Sequence, residues 1–247
     1  MTTSISPPPT VLAVDTSTGW CAVGVCRAGG PPSSPSVRIC SEVVVDGKRL
    51  HAERLFSLID HVLSDSGVSL ERLSLLAVAT GPGSFTGLRI GASAMQGLAL
   101  ARGLPLVGVP TLDALAHAAP PVDGLVVPLL DARMGEVFGA FYLVTPDGLE
   151  KVGGDRVAPV AGLLGDMPGT GGTVVFVGDG ADRYSAEIQA ALPDARIVPP
   201  PGNTPRAAFV ALEGVRRQAA GAPTDPALAV PVYLRKAQAE RPGGGRG

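Results

Sequence analysis

The chain has 247 residues, 45% apolar and 17% charged, with 33 glycines, 24 prolines and a formal net charge of −2. A chain this long buries roughly 70% of its unfolded surface, so its core needs no disulfide or metal. The charge balance offers no basic face for autonomous binding to nucleic acid, and three cysteines without CxxC spacing read as buried small hydrophobes.

Residues 1–9 are expected to be disordered; they show neither the positive leader nor the apolar core of a signal peptide. No run approaches the ~20 apolar residues of a membrane helix, and the expectation is a cytoplasmic protein. Val11–Val14 is a short apolar strand ending in Asp15-Thr16-Ser17-Thr18-Gly19, and Trp20–Arg27 returns as its hairpin partner. A hydroxyl-rich turn with free amides can cradle a phosphate, and Asp15 stands where a Mg²⁺-linked carboxylate would sit. The plainer reading is an ordinary turn in which Asp15 and Ser17 bond the local backbone.

Ala28–Ser36 reads as a low-complexity hairpin loop, and Val37–Val45 as a third strand. His51–Ser66 carries Leu55, Leu58, Ile59, Val62 and Leu63 at helical spacing. His51 and His61 on that helix lie too far apart to share a metal. Leu75–Ala79 is a buried strand, and Gly81-Pro82-Gly83 turns into a helix over about 86–101. That helix is apolar nearly all round, which belongs in an interior or an interface. Its short face of Gly87, Gly91, Ala94 and Leu98 would let another helix approach closely. Leu106–Val109 is a strand and Thr111–His117 a brief helix, on which Asp113 and His117 form a surface ion pair rather than half a metal site.

The pattern then repeats. Leu125–Leu130 ends in Asp131-Ala132-Arg133, echoing the Asp15 turn, and Glu136–Val144 and Leu149–Val157 complete a second set of three strands. Ala158–Leu164 is a short helix, and Val174–Val177 leads through Gly178-Asp179-Gly180 to a helix over 182–192. Asn203 or Thr204 caps a last helix running to about Ala219, with Pro205 in its first turn. The order βββαβα, twice, implies two similar α/β lobes with a ligand cleft between them. The boundaries are a lobe at 10–107, a second at 108–202, a helix at 203–221 packing back on the first lobe, and a Pro/Gly-rich tail at 222–247.

VLAVDTST at 11–18, GPGSFTGLRIG at 81–91, LLDARMGEVF at 129–138, GVPTLDALA at 108–116 and PVYLR at 231–235 together resemble the TsaB (YeaZ) family. The resemblance implies the two-lobed actin/Hsp70/sugar-kinase fold, an RNase H-like duplication. It implies a non-catalytic subunit of the machinery making threonylcarbamoyladenosine at position 37 of tRNA. Such a subunit pairs through its N-terminal helices with the catalytic paralogue TsaD, the ATPase TsaE joining and tRNA bound only within the complex. A homodimer through the same helices is the fallback when the partner is absent.

The contact is expected to involve Leu55, Ile59, Val62, Gly87, Gly91, Ala94 and Leu98. The paralogue's HxxxH metal pair aligns with Thr111 and Leu115, neither of which replaces an imidazole ligand. No catalytic residue, metal or obligatory cofactor is therefore expected, and at most weak ATP or ADP binding at Asp15, Thr16, Ser17, Asp131, Gly178 and Gly180. The alternative is a small-molecule kinase of the same fold holding Mg-ATP with those residues; no recognisable base supports it. A peptidase is discounted, because the chain has three histidines and no HExxH.

Overall fold

The computed structural model describes residues 8–31, 34–47, 51–169 and 171–234, without the side chains of His51 and Ala52. Of the expectations above, those on residues 1–7, on part of the 28–36 loop, on the His51 side chain and on the tail from 235 lie outside the described residues.

Alternating apolar residues build a first sheet from β1 (Thr10–Asp15), β2 (Trp20–Gly29), β3 (Ser36–Asp46), β4 (Leu75–Gly81) and β5 (Leu106–Pro110) in the order β3-β2-β1-β4-β5. The pairs β1–β2 and β2–β3 are antiparallel, whereas β4 runs parallel to both β1 and β5. Successive side chains point to opposite faces. Leu12 and Val14 thus meet α1 (His51–Ser66) and α2 (Phe85–Arg102) on one side of the sheet, while Val11 and Ala13 meet α7 (Ala207–Ala219) on the other.

The second sheet repeats this plan. Strands β6 (Gly124–Arg133), β7 (Glu136–Thr145), β8 (Gly148–Pro159), β9 (Thr173–Val177) and β10 (Arg196–Ile197) take the order β10-β9-β6-β7-β8, with the same parallel and antiparallel pairs. Val126 and Leu130 face α3 (Thr111–Ala116). Leu125, Val127 and Leu129 face α4 (Val160–Gly165), α5 (Asp179–Arg183) and α6 (Ser185–Ala191). The molecule is therefore layered: α1 and α2, first sheet, α7 against α3, second sheet, then α4 to α6. Among the described residues, no helix is long and apolar enough to cross a membrane.

Three elements differ from the sequence expectation. The helix expected over 182–192 is two short helices, α5 and α6, broken where Tyr184 leaves helical backbone angles. Strand β10 has two residues, too few to show a period. The last helix starts at Ala207, not beside a capping Asn203 or Thr204. Asn203 is buried and its amide donates to Asp182 (2.6 Å), and the Thr204 hydroxyl donates to the Pro201 carbonyl (2.8 Å). The cap comes from across the fold. Glu42 on β3 accepts from the Ala208 amide (2.9 Å) and pairs with Arg206 (Nε 2.7 Å), supplying negative charge where a helix N-terminus favours it.

Candidate functional site

The first-lobe turn is buried under the start of α2. Asp15, Thr16 and Ser17 are each at most 3% exposed. The Ser17 amide (2.8 Å) and hydroxyl (2.6 Å) both donate to Asp15 Oδ1, the local turn that the plainer sequence reading describes. Thr16 Oγ1 donates to the Gly87 carbonyl (2.8 Å), and the Ser84 amide donates to the Ser17 carbonyl (2.6 Å). Ser84 also caps α2, accepting from the Gly87 amide (3.3 Å). This contact requires glycine: a Cβ on Gly83, Gly87 or Gly91 would overlap Ser17 or Thr16 atoms.

The second-lobe turn follows the same plan with charges. The Asp131 amide donates to Asp179 Oδ1 (3.0 Å), and Asp131 Oδ1 accepts from the Arg133 amide (2.9 Å). Arg133 (3.3 Å) and Arg183 (3.6 Å) flank Asp131 Oδ2. Burial, with the neighbouring Asp131 charge adding to it, pushes the Asp179 carboxyl above its usual range, against the backbone hydrogen bonds it accepts. A Cβ on Gly178 or Gly180 would strike the backbone of Leu129, so this turn too is pressed onto its sheet.

Beside the first-lobe turn, α3 and the segment before α7 close on Asp15. The space lined by Asp15, Thr111, Ala114, Leu115, Leu130, Pro205, Arg206 and Phe209 amounts to about 10 Å³. That is room for about one water, against the ~300 Å³ or more of a small-molecule site. The Thr16 hydroxyl and the Ser17 amide already donate inside the chain, which leaves neither proton for the phosphates of Mg-ATP. The structure thus brings Asp15, Thr16 and Ser17 together in one covered turn and Asp131, Gly178 and Gly180 in another, with a space of about 10 Å³ beside Asp15 and Leu130. A groove of about 550 Å³ that includes Asp123, Thr173 and Asp194 lies at the far end of β9, away from both turns.

The positions aligned with the paralogue's histidines are used for packing. Thr111 Oγ1 accepts from the Gly81 amide (3.1 Å) and ties the start of α3 to β4, while Leu115 is buried in the second-lobe core. Asp113 and His117 do not pair with each other, which corrects the expected surface ion pair. Asp113 Oδ1 accepts from Tyr142 (2.6 Å) and Lys151 (2.7 Å), and His117 Nε2 lies 3.3 Å from Glu213.

Leu55, Ile59, Val62, Gly87 and Gly91 are buried against the chain's own sheet and first-lobe turn, and Ala94 and Leu98 are half-buried beside them. Gly87 and Gly91 on the small face of α2 admit the Thr16–Ser17 turn. The outward surface carries other side chains: Phe56 on α1 is 58% exposed and Leu100 on α2 is 75% exposed, with Ser93 and Gly97 open on the same side as Leu100.

Sequence reasoning also left the PVYLR motif without a role. Its chain straps the edge of α2: Gln96 Nε2 donates to the Pro226 (3.0 Å) and Ala229 (3.3 Å) carbonyls, and the Val232 amide to the Thr80 carbonyl (2.7 Å). Arg89 lies over the Phe85 ring (3.9 Å) and donates to the Tyr233 hydroxyl (3.1 Å). Glu42, Lys151 and Arg206 were missed as well. Their partners lie far away in sequence, and no local pattern announces them.

A duplicated five-stranded plan with a turn after the first strand of each half defines the actin/Hsp70/sugar-kinase-like class. Residues 38–242 match the sequence model of the family described as TsaD, tRNA N6-adenosine threonylcarbamoyltransferase. The chain is 30% identical to the tRNA threonylcarbamoyladenosine biosynthesis protein TsaB of Bacillus subtilis, over 94% of this chain and 96% of that one. It is 38% identical to Escherichia coli TsaB over 56% of this chain, a match that spans 57% of the relative's length. The solved structure of YeaZ from Pseudomonas aeruginosa superposes with a TM-score of 0.75 at 28% identity, covering 92% of this chain and all of that one. The chain belongs to the TsaB family.

Proposed function

We propose that this chain is the non-catalytic subunit of the assembly that makes threonylcarbamoyladenosine at position 37 of tRNA. It acts in the cytoplasm by binding and activating the catalytic paralogue TsaD, with TsaE joining and tRNA engaged only in the complex. Without the partner it self-associates through the same face. It requires no cofactor, and Mg-ATP binds weakly at most. The observation that carries the reading, beyond family membership, is the outer surface of α1 and α2. Their inner residues are spent on the chain's own sheet, yet they still present Phe56 and Leu100 to solvent beside the open Gly97. Large apolar side chains exposed on the outer layer of helices suit a protein partner.

The test is co-purification with the TsaD of the same host, scored by size-exclusion chromatography with light scattering. The expected result is a one-to-one complex, abolished by Phe56→Glu with Leu100→Glu while the isolated chain keeps its fold. A bulky residue at Gly91 is unsuited to this test, because it would strike Thr16 within the chain. Absence of any complex, with the chain monomeric, would overturn the proposal.

A further inference from the structure

Helix α7 lies across the first sheet but is bonded to the second lobe on both sides. Before its N-terminus, Asn203 donates to Asp182 in α5 (2.6 Å), while Glu42 of the first sheet holds Arg206 and the Ala208 amide (2.9 Å). Near its C-terminus, Arg217 stands 3.5 Å from Asp113 Oδ2, and the other oxygen of that carboxylate is held by Lys151 and Tyr142 of the second sheet. Lys151 is also 2.6 Å from Asp155. Glu213 faces His117 (3.3 Å), and the Arg216 guanidinium lies against Gly148 at the β7–β8 turn. Between these ties, α3 is fixed to β4 by Thr111.

We propose that α7 is a crossbar locking the two lobes in one arrangement, so that the cleft beside Asp15 does not open as clefts in hinged two-lobed proteins do. Two-lobed proteins close around ligands by letting a few hinge residues absorb the rotation. Here rotation about α3 has to break the Asn203 tie or the Arg217–Asp113 pair, taking from the Asp182 carboxylate or the Arg217 guanidinium a partner that neither meets in bulk water. The inference does not depend on the identity of the protein partner.

Two spin labels read the lobe spacing in the full-length chain. Ser64→Cys on α1 and Gln189→Cys on α6 are exposed and sit in the two outermost layers. Half-buried Cys40 is replaced by serine. Burial pushes the Cys21 and Cys26 thiols up to about 11 and about 12, so they stay unlabelled. Diluted into excess unlabelled chain, so that only label pairs within one molecule are read, the parent is expected to give one narrow distance by double electron–electron resonance, unchanged by millimolar Mg-ATP. Asn203→Ala with Arg217→Ala is expected to add a longer distance in at least roughly a tenth of the molecules. A broad or two-peaked parent overturns the crossbar, as does a single unchanged distance in a double variant with the parent's circular dichroism. Should the double variant not fold, the milder Asn203→Ser with Arg217→Gln at the same two ties takes its place under the same criterion, and an unchanged distance again overturns the proposal.

Discussion

Gly91 has room for a hydrogen and nothing larger, because Thr16 Oγ1 fills the place of a Cβ; Gly87 meets the Thr16 carbonyl in the same way. Gly87→Ala or Gly91→Leu should cost about 1–3 kcal/mol or more through overpacking, read as a lower urea midpoint of the isolated chain. An unchanged midpoint would mean that α2 does not rest on the turn. Glu42 is a different kind of critical residue. Its carboxylate is nearly out of water yet serves Arg206 and the Ala208 amide in the first turn of α7. Glu42→Gln should remove about 1.5–3 kcal/mol, the range of a hydrogen bond to a charged group, at an unchanged denaturant slope. Asp179 carries the pH dependence. Its folded pKa is raised above the ordinary 3.8, so the ionised form is the one the fold disfavours, and native stability is lost as pH rises through that folded value. Asp179→Asn should therefore be more stable than the parent at neutral pH, an advantage that disappears as pH falls below the unfolded carboxylate range. A gap of constant size across that titration would exclude Asp179 as its source.

At the scale of elements, α2 shows what a sequence pattern settles and what it leaves open. Its near-uniform apolarity announced a helix covered on more than one side, and the stripe of Leu88, Ala92, Met95 and Ala99 does pack inward. Which glycines serve the chain's own turn was not legible, since periodicity fixes a face but not the neighbour that meets it. Gly87 and Gly91 meet a turn more than 70 residues earlier, and the geometry that brings Thr16 there is tertiary. Gly97 is the counter-example: a Cβ there would meet no atom within 4 Å. Gly97→Ala should stabilise the isolated chain by about 0.5–1 kcal/mol, the usual gain of alanine over glycine inside a helix. Leu100→Glu, on the same open side, should leave the midpoint within about 0.5 kcal/mol while weakening capture of TsaD. If Leu100→Glu lowers stability and capture in parallel, the outer face of α2 is not the contact. The cap of α7 was misread for the same reason as the α2 glycines. Asn203-Thr204-Pro205 is a good local start signal, but Asp182 takes Asn203 and a remote carboxylate does the capping.

For the whole molecule, the repeated order of strands was readable because each half carries its own alternation and its own Asp-ended first strand. The closed cleft was not, because closure depends on α3 and α7 meeting between the lobes, a layer assembled from residues about 100 positions apart. That closure sets the last expectation. A ligand that binds only the folded state stabilises by RT ln(1 + [L]/Kd), which is about 0.4 kcal/mol when its concentration equals Kd and about 2.7 kcal/mol at a hundred times Kd. With about 10 Å³ beside Asp15 and Leu130, Mg-ATP at a few millimolar should sit in the first regime. For a chain of this size that moves the thermal midpoint by about 1 °C. A rise of about 5 °C or more would require a cleft that opens to admit the nucleotide and closes over it. The Thr16 hydroxyl and the Ser17 amide would then have to leave their partners within the chain, and α7 could not be holding the lobes at a fixed distance.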